Sequence, residues 1–88
     1  PPFRYPAPLY ERKVQGNVTL RLWVDSAGLV HPESTRVAEP SGYAALDSAA
    51  VAGAAQLAFA PARRDGRAHS TAVLFPVYFR HPDAPPLP

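Results

Sequence analysis

The chain has 88 residues, of which 47% are hydrophobic, and it contains twelve prolines, no cysteine and a net charge of +2. That length allows a single domain with a thin core, and the absence of cysteine excludes disulfides, zinc–thiolate sites and a cysteine nucleophile. No apolar run approaches the roughly 20 residues that span a membrane, and the small net charge gives no support to nucleic-acid binding.

The prolines gather at the two ends of the chain. Four stand near the start and four near the end, namely Pro1, Pro2, Pro6, Pro8, Pro82, Pro85, Pro86 and Pro88. Because proline prevents helix continuation and strand pairing, we expect both ends to be extended and largely solvated. The predicted organisation is a proline-rich linker end over residues 1–8, a domain over 9–80 and a proline-rich tail over 81–88. A chain that opens on two prolines is expected to be an excised part of a longer protein.

A helical turn and a clear strand open the predicted domain. Residues 9–14 predict one short helical turn, which Gly16 would end. The aliphatic residues Val18, Leu20, Leu22 and Val24 follow, and each is separated from the next by a polar residue or by Trp23. This period of two predicts a half-buried strand whose aliphatic face is covered, with Trp23 on the opposite face.

A hairpin connection follows that strand. Residues 25–28, Asp-Ser-Ala-Gly, are typical of a turn in which the glycine adopts positive φ. The return strand is predicted to open at Leu29 and to continue to Val37 after a break at Pro32. Because proline interrupts strand pairing, we expect this strand to be short, bulged or at the edge of the sheet.

An alanine-rich helix and a last strand complete the predicted elements. Residues 44–58 carry one helical face, formed by Leu46, Ala50, Gly53, Ala54 and Leu57. Asp47 lies in the first turn, where a carboxylate favours the helix dipole, and Phe59 and Pro61 end the helix. Residues 63–68 are predicted as a loop around Asp65 and Gly66. Residues 70–80 predict a strand with Val73, Phe75, Val77 and Phe79 on one face and Leu74, Pro76 and Tyr78 on the other.

The predicted fold class is α+β, a two-layer sandwich with the order β-β-α-β after the short N-terminal helical turn. One helix covers one face of a three-stranded sheet in the order second-first-third. The second and third strands are then parallel to each other and joined by a right-handed crossover. Pro76 marks the last strand as an edge, and an open edge is a place where another chain can be added.

No pattern in the sequence predicts catalysis, a metal site or a cofactor. His31, His69 and His81 are far apart and are predicted to be solvated, and no nucleophile elbow or phosphate loop occurs. The arginines at 63, 64 and 67 are either a solvated loop or a contact for an acidic partner or an anionic cell-wall polymer. Trp23, Tyr5 and Tyr78 either pack against the chain ends or form a dimer or partner surface.

The motifs follow one another in a recognisable order. They are Tyr5-Pro6, Gly16 to Leu20 (Gly-x-Val-x-Leu), Val24 to Val30 (Val-Asp-x-x-Gly-x-Val), Ser41-Gly42, Leu46 to Ala50 (Leu-Asp-x-Ala-Ala), Phe59 to Ala62 (Phe-x-Pro-Ala) and Pro76 to Phe79 (Pro-Val-x-Phe). Over roughly residues 5 to 80, this succession resembles the C-terminal domain of the TonB family of energy transducers.

The resemblance implies a function. Such domains are periplasmic, and a proline-rich spacer tethers them to an inner-membrane helix that associates with a proton-motor complex. They capture the TonB box of an outer-membrane transporter by strand addition, which couples proton-motive force to uptake of substrates such as siderophores. The resemblance nominates as partner-binding residues Tyr5, Pro6, Thr71, Val73, Leu74, Phe75, Pro76, Val77, Tyr78 and Phe79.

Two other interpretations remain open. The same fold could be a structural or sensory module appended to another envelope protein, such as a membrane metallopeptidase sensor or a TolA-like tether. The domain could also pair with a second copy of itself as a homodimer, because small domains with open sheet edges self-associate readily. None of these interpretations involves nucleic acid.

Overall fold

A computed structural model describes residues 2–88 and contains two helices, one 3₁₀ turn, a three-stranded sheet and a two-stranded hairpin. The elements are α1 (Ala7–Glu11), β1 (Gly16–Val24), the 3₁₀ turn (Pro32–Ser34), β2 (Arg36–Glu39), α2 (Ala44–Ala54), β3 (Ala62–Arg64), β4 (Arg67–His69) and β5 (Thr71–Phe79). The sheet has the order β2-β1-β5, and β1 is antiparallel to both neighbours. The predicted fold class, strand order and single covering helix are confirmed.

β1 is the central strand, and its aliphatic face forms the middle of the core. Val18, Leu20 and Leu22 are fully buried and Val24 is nearly so, whereas Trp23 lies on the other face. Leu46, Ala50 and Ala54 of α2 pack onto this row. The small alanine side chains allow the helix to lie close to β1. The predicted alternation is therefore confirmed.

The β1–β2 connection is a turn organised by Asp25. Its Oδ1 accepts the N–H groups of Ala27 and Leu29, each at 2.9 Å. Gly28 adopts φ +86°, and its carbonyl accepts the Phe59 N–H at 2.8 Å. An added Cβ at residue 28 would collide with the Phe59 carbonyl, so only glycine fits where these two backbones meet.

Both helices differ from the prediction at their boundaries. α1 begins at Ala7 instead of residue 9, because the Pro6 carbonyl accepts the N–H groups of Leu9 and Tyr10 and proline suits a first turn. α1 ends at Glu11, and the chain turns at Lys13, which has φ +57°. Gly16, predicted to end the helix, is the first residue of β1. α2 ends at Ala54 instead of residue 58, because residues 58 and 59 bond to the β1–β2 turn.

A short hairpin replaces the loop predicted over residues 63–68. Ala62 lies opposite His69, Arg63 opposite Ala68 and Arg64 opposite Arg67. Asp65 and Gly66 both have positive φ, 51° and 78°, as a two-residue type I′ turn requires. The prediction was wrong because strands of three residues are too short to show an alternating pattern.

The chain ends lie against the domain. Phe3 and Tyr5 are half-buried and pack on the core, and the Gln15 side chain bonds to the backbone of His81 and Pro85. Residues 2–6 and 80–88 lack helix and strand, as predicted, but the expectation that the ends are largely solvated was wrong for Phe3 and Tyr5. No helix in residues 2–88 is long and apolar enough to cross a membrane.

Candidate functional site

The outer edge of β5 is the longest free strand edge in the described part of the chain. β5 pairs with β1 along all nine of its residues without a bulge, from Thr71 opposite Val24 to Phe79 opposite Gly16. No strand within residues 2–88 pairs with its other side. Such an edge leaves backbone N–H and C=O groups available to an added strand.

The hydrogen bonds of β1 show which backbone groups of β5 face this edge. The Trp23 carbonyl accepts the His31 N–H at 3.0 Å, on the side of β1 that faces β2. Because backbone groups alternate sides along a strand, those of Val24 face β5, and those of its partner Thr71 face β1. By the same alternation, the residues whose backbone groups face the free edge are Ala72, Leu74, Pro76 and Tyr78.

Pro76 fits this assignment, because proline lacks an N–H and is tolerated where its nitrogen faces away from the ladder. The free edge therefore offers three N–H donors, from Ala72, Leu74 and Tyr78, together with four carbonyl acceptors. The Ala72 carbonyl also accepts the Thr71 hydroxyl at 3.4 Å. No other backbone segment of residues 2–88 bonds to these groups.

The predicted partner-binding residues of β5 fall into two groups. Leu74, Pro76 and Tyr78 have outward-facing backbone groups and exposed side chains, with Leu74 and Tyr78 68% and 61% exposed. The others have backbone groups paired to β1 and side chains on the covered side, namely Thr71, Val73, Phe75, Val77 and Phe79. Ala72 belongs to the outward group and was missed by the sequence prediction. The position of Pro76 was the signal that could have identified it, since every second residue shares its orientation.

Tyr5 and Pro6 serve the fold at the C-terminal end of β5. The Tyr5 hydroxyl donates to the Val14 carbonyl, and its ring lies edge-on to Phe79 and Tyr10, with centroids 5.4 and 5.1 Å away. Burial raises the pKa of the Tyr5 hydroxyl. The Pro6 carbonyl accepts the N–H groups of Leu9 and Tyr10 in α1. Tyr5 contacts β5 through Phe79, and the contact of both residues with a partner, which the resemblance implies, stays a prediction.

Residues 2–6 extend the layer that covers β5. Phe3 stacks on Phe75 with ring centroids 6.1 Å apart, and Phe59 meets the same ring edge-on at 5.8 Å. Gly53 of α2 makes room for this segment, because an added Cβ would collide with the Phe3 ring and lie 2.8 Å from the Pro2 carbonyl oxygen. α2 itself packs mainly on β1 and β2. The covered side of β5 is thus filled by the segment 2–6 together with Phe59, and its edge remains open.

The uncovered sheet face carries exposed apolar side chains beside the free edge. Trp23 is 38% exposed and lies opposite Ala72, and Arg21 lies opposite Leu74. The Arg80 guanidinium stands 5.3 Å from the centre of the Tyr78 ring. A captured strand would therefore place half of its side chains beside an apolar face that carries arginines.

His31 lies at the surface, as predicted, and pairs there with two carboxylates. Its Nε2 lies 2.9 Å from the Asp25 carboxylate and its Nδ1 lies 3.1 Å from that of Glu33. The hydrogen bond to Asp25 raises the pKa of His31, and the Leu29 N–H together with His31 lowers the pKa of Asp25. In the described residues, no group of three or more His, Asp and Glu side chains, this one included, has a metal-binding arrangement.

Comparison with known proteins yields one family and no individual relative. The family described as Gram-negative bacterial TonB protein C-terminal matches residues 1–81. No curated protein and no solved structure matches the chain. Domains of the matched family are periplasmic and non-enzymatic, and they interact with TonB-dependent outer-membrane receptors. Because the match covers nearly the whole chain and agrees with the fold, this chain belongs to the family of TonB C-terminal domains.

Proposed function

We infer that this domain is the periplasmic end of a TonB-like energy transducer and that it captures the TonB box of an outer-membrane transporter as an added strand on β5. The observation that carries this proposal is the unbroken nine-residue edge strand with its outer side unpaired. Family membership supplies the kind of partner. The transporter segment would become the fourth strand, in the order β2-β1-β5-segment.

The free edge suits weak and reversible capture. Its three donors and four acceptors would each contribute about 0.5–1.5 kcal/mol net, against the cost of ordering an extended segment. A pull along the strand direction loads several of these bonds together, whereas thermal release can proceed one bond at a time. A transducer that cycles needs both properties.

Coupling to the proton-motive force would come from outside this chain. We propose that a segment preceding residue 1 anchors the domain to the inner membrane and associates with a proton-motor complex there. The motor would pull on the captured segment through that connection and thereby drive substrate uptake. Sequencing of the full-length gene tests this arrangement: a single N-terminal helix with a proline-rich spacer supports it, and a catalytic or multi-helix region supports an appended module instead.

Peptide binding tests the capture step directly. Peptides from the N-terminal plug segments of candidate transporters are titrated into the domain by calorimetry, with Leu74→Pro and Leu74→Ala as the matched variants. Leu74→Pro removes one outward N–H and should weaken binding about tenfold, whereas Leu74→Ala removes only the side chain and should weaken it less. Absence of binding up to millimolar peptide on a folded monomer would contradict the proposal. Sedimentation at several concentrations first establishes whether a second copy occupies the edge.

A further inference from the structure

The β3–β4 hairpin carries the highest density of positive charge in the chain. Arg63, Arg64 and Arg67 surround its tip, where Asp65 is the only acidic residue. The hairpin therefore has a net charge of +2, equal to that of the whole chain, so the remaining six cations and six anions balance. Its principal contacts are between its own two strands, and it lies outside the hydrophobic core.

These three guanidinium groups are not neutralised within residues 2–88. Every ion pair there involves His31, and the only side-chain hydrogen bond of the three arginines joins Arg63 to the Gly66 carbonyl at 3.3 Å. Arg64 and Arg67 lie directly opposite each other on the two strands. Like charges in that register oppose hairpin formation, and an anion between them would reverse this effect.

The hairpin stands at one end of the free edge of β5. Ser70 alone separates β4 from β5, so Arg67 is four residues from Thr71 and its Cα lies within about 14 Å of that residue. A long arginine side chain is able to cover part of that distance. A strand added to β5 would therefore bring one of its ends within reach of Arg64 and Arg67.

We propose that the β3–β4 hairpin recognises carboxylates of the captured segment. These carboxylates would follow directly after the part that pairs with β5, at the end beside Thr71. This inference rests on the proposed strand addition and names a chemical requirement for the partner. The tip contains arginine, aspartate and glycine and no aromatic or large aliphatic side chain that could insert into a bilayer. Exposed guanidinium groups suit carboxylates, which they bind through two parallel hydrogen bonds.

Three synthetic peptides test this inference. They share one extended apolar core, and two of them carry a pair of aspartates at the N-terminus or at the C-terminus. Because an added strand runs in one direction, only one acidic end can lie beside the hairpin. That peptide should bind on the order of three- to tenfold more tightly than the neutral one, and about 0.5 M salt should abolish the gain.

Two double variants with the same change in net charge locate the effect. Arg64→Gln with Arg67→Gln should remove the gain and leave binding of the neutral peptide unchanged. Arg12→Gln with Lys13→Gln should retain the gain, because these two residues follow α1, which lies near the other end of β5 through the contacts of Tyr10 with Tyr5 and of Tyr5 with Phe79.

The outcomes separate this inference from the proposed function. If no peptide binds, strand addition fails and the inference fails with it. If the neutral peptide binds but neither acidic peptide gains affinity, or the gain survives loss of Arg64 and Arg67, only the inference is overturned. It is also overturned if those arginines bind anionic lipid vesicles while peptide charge has no effect.

Discussion

The two outer strands of the sheet share one central neighbour and differ in how they present their free edges. β2 has four residues, a register shift opposite Thr19 and Leu20, and a proline turn before it. β5 has nine residues paired to β1 without interruption. A short, bulged and charged edge resists the addition of another chain, whereas a long regular edge permits it. The contrast predicts that an added strand would pair with β5 and not with β2.

Both edges depend on β1, so removing core volume there should produce the largest effect. Leu20 is fully buried, and Leu20→Ala should lower the free energy of unfolding by about 2–5 kcal/mol, a large part of the stability of so small a domain. The neighbouring Arg21 is exposed, and Arg21→Ala should change that free energy by less than about 0.5 kcal/mol. Urea unfolding of both variants measures the difference. Equal losses would contradict the assignment of the two β1 faces.

Proline substitution at equivalent positions of the two edges tests the contrast itself. Arg36 pairs with Arg21, so the backbone groups of the next residue, Val37, face outward from β2. The backbone groups of Leu74 face outward from β5 in the same way. Val37→Pro should leave the Kd for a TonB-box peptide within about twofold, against about tenfold weakening in Leu74→Pro. The Kd values come from calorimetry on folded variants. A larger loss in Val37→Pro would place the binding edge on β2.

Loss of the Tyr5 hydroxyl should have an intermediate effect. Tyr5→Phe deletes the donor to the Val14 carbonyl and should lower the free energy of unfolding by about 1 kcal/mol. Because that hydroxyl bonds within the fold, the peptide Kd should remain unchanged where both proteins are folded. Weakened binding without a change in stability would instead assign the hydroxyl to the partner.

The smallest expected effect is a pH dependence of the free energy of unfolding, caused by His31 in the connection between β1 and β2. The pKa of His31 is raised by Asp25, so its stabilisation is complete below the unfolded value near 6.5 and is lost as pH rises through the folded pKa. The pKa of Asp25 is lowered, so its contribution is lost as pH falls below about 4. His31→Gln should therefore destabilise the domain more at pH 5.5 than at pH 8, measured by urea unfolding. The opposite pH trend would contradict the ion pairs seen here.

Much of the sheet was predictable because its signals are local. The alternation of Val18 to Val24 identified the central strand, and Pro76 identified the last strand as an edge. The boundaries of the helices were less predictable, because α2 ends where Ala58 and Phe59 bond to a turn remote in sequence. Local propensity carries no information on such tertiary contacts.

The candidate site was predictable as a strand and not as a set of backbone groups. Which of its residues face outward depends on how β5 pairs with β1, a contact between segments remote in sequence. The sequence prediction therefore included Val73, Phe75 and Val77, whose backbone groups are occupied, and omitted Ala72. The packing of Phe3 on Phe75 was also invisible, because a proline-rich end without periodicity does not indicate burial.

Amide-resolved peptide titration is the most direct test of capture on β5. With nitrogen-15-labelled domain and a TonB-box peptide, the outward amides of Ala72, Leu74 and Tyr78 should shift most and become protected from hydrogen exchange. The amides of Val73, Phe75 and Val77 already bond to β1 and should change less. Shifts centred on β2, or equal shifts of both sets of amides without new protection, would contradict strand addition at the free edge of β5.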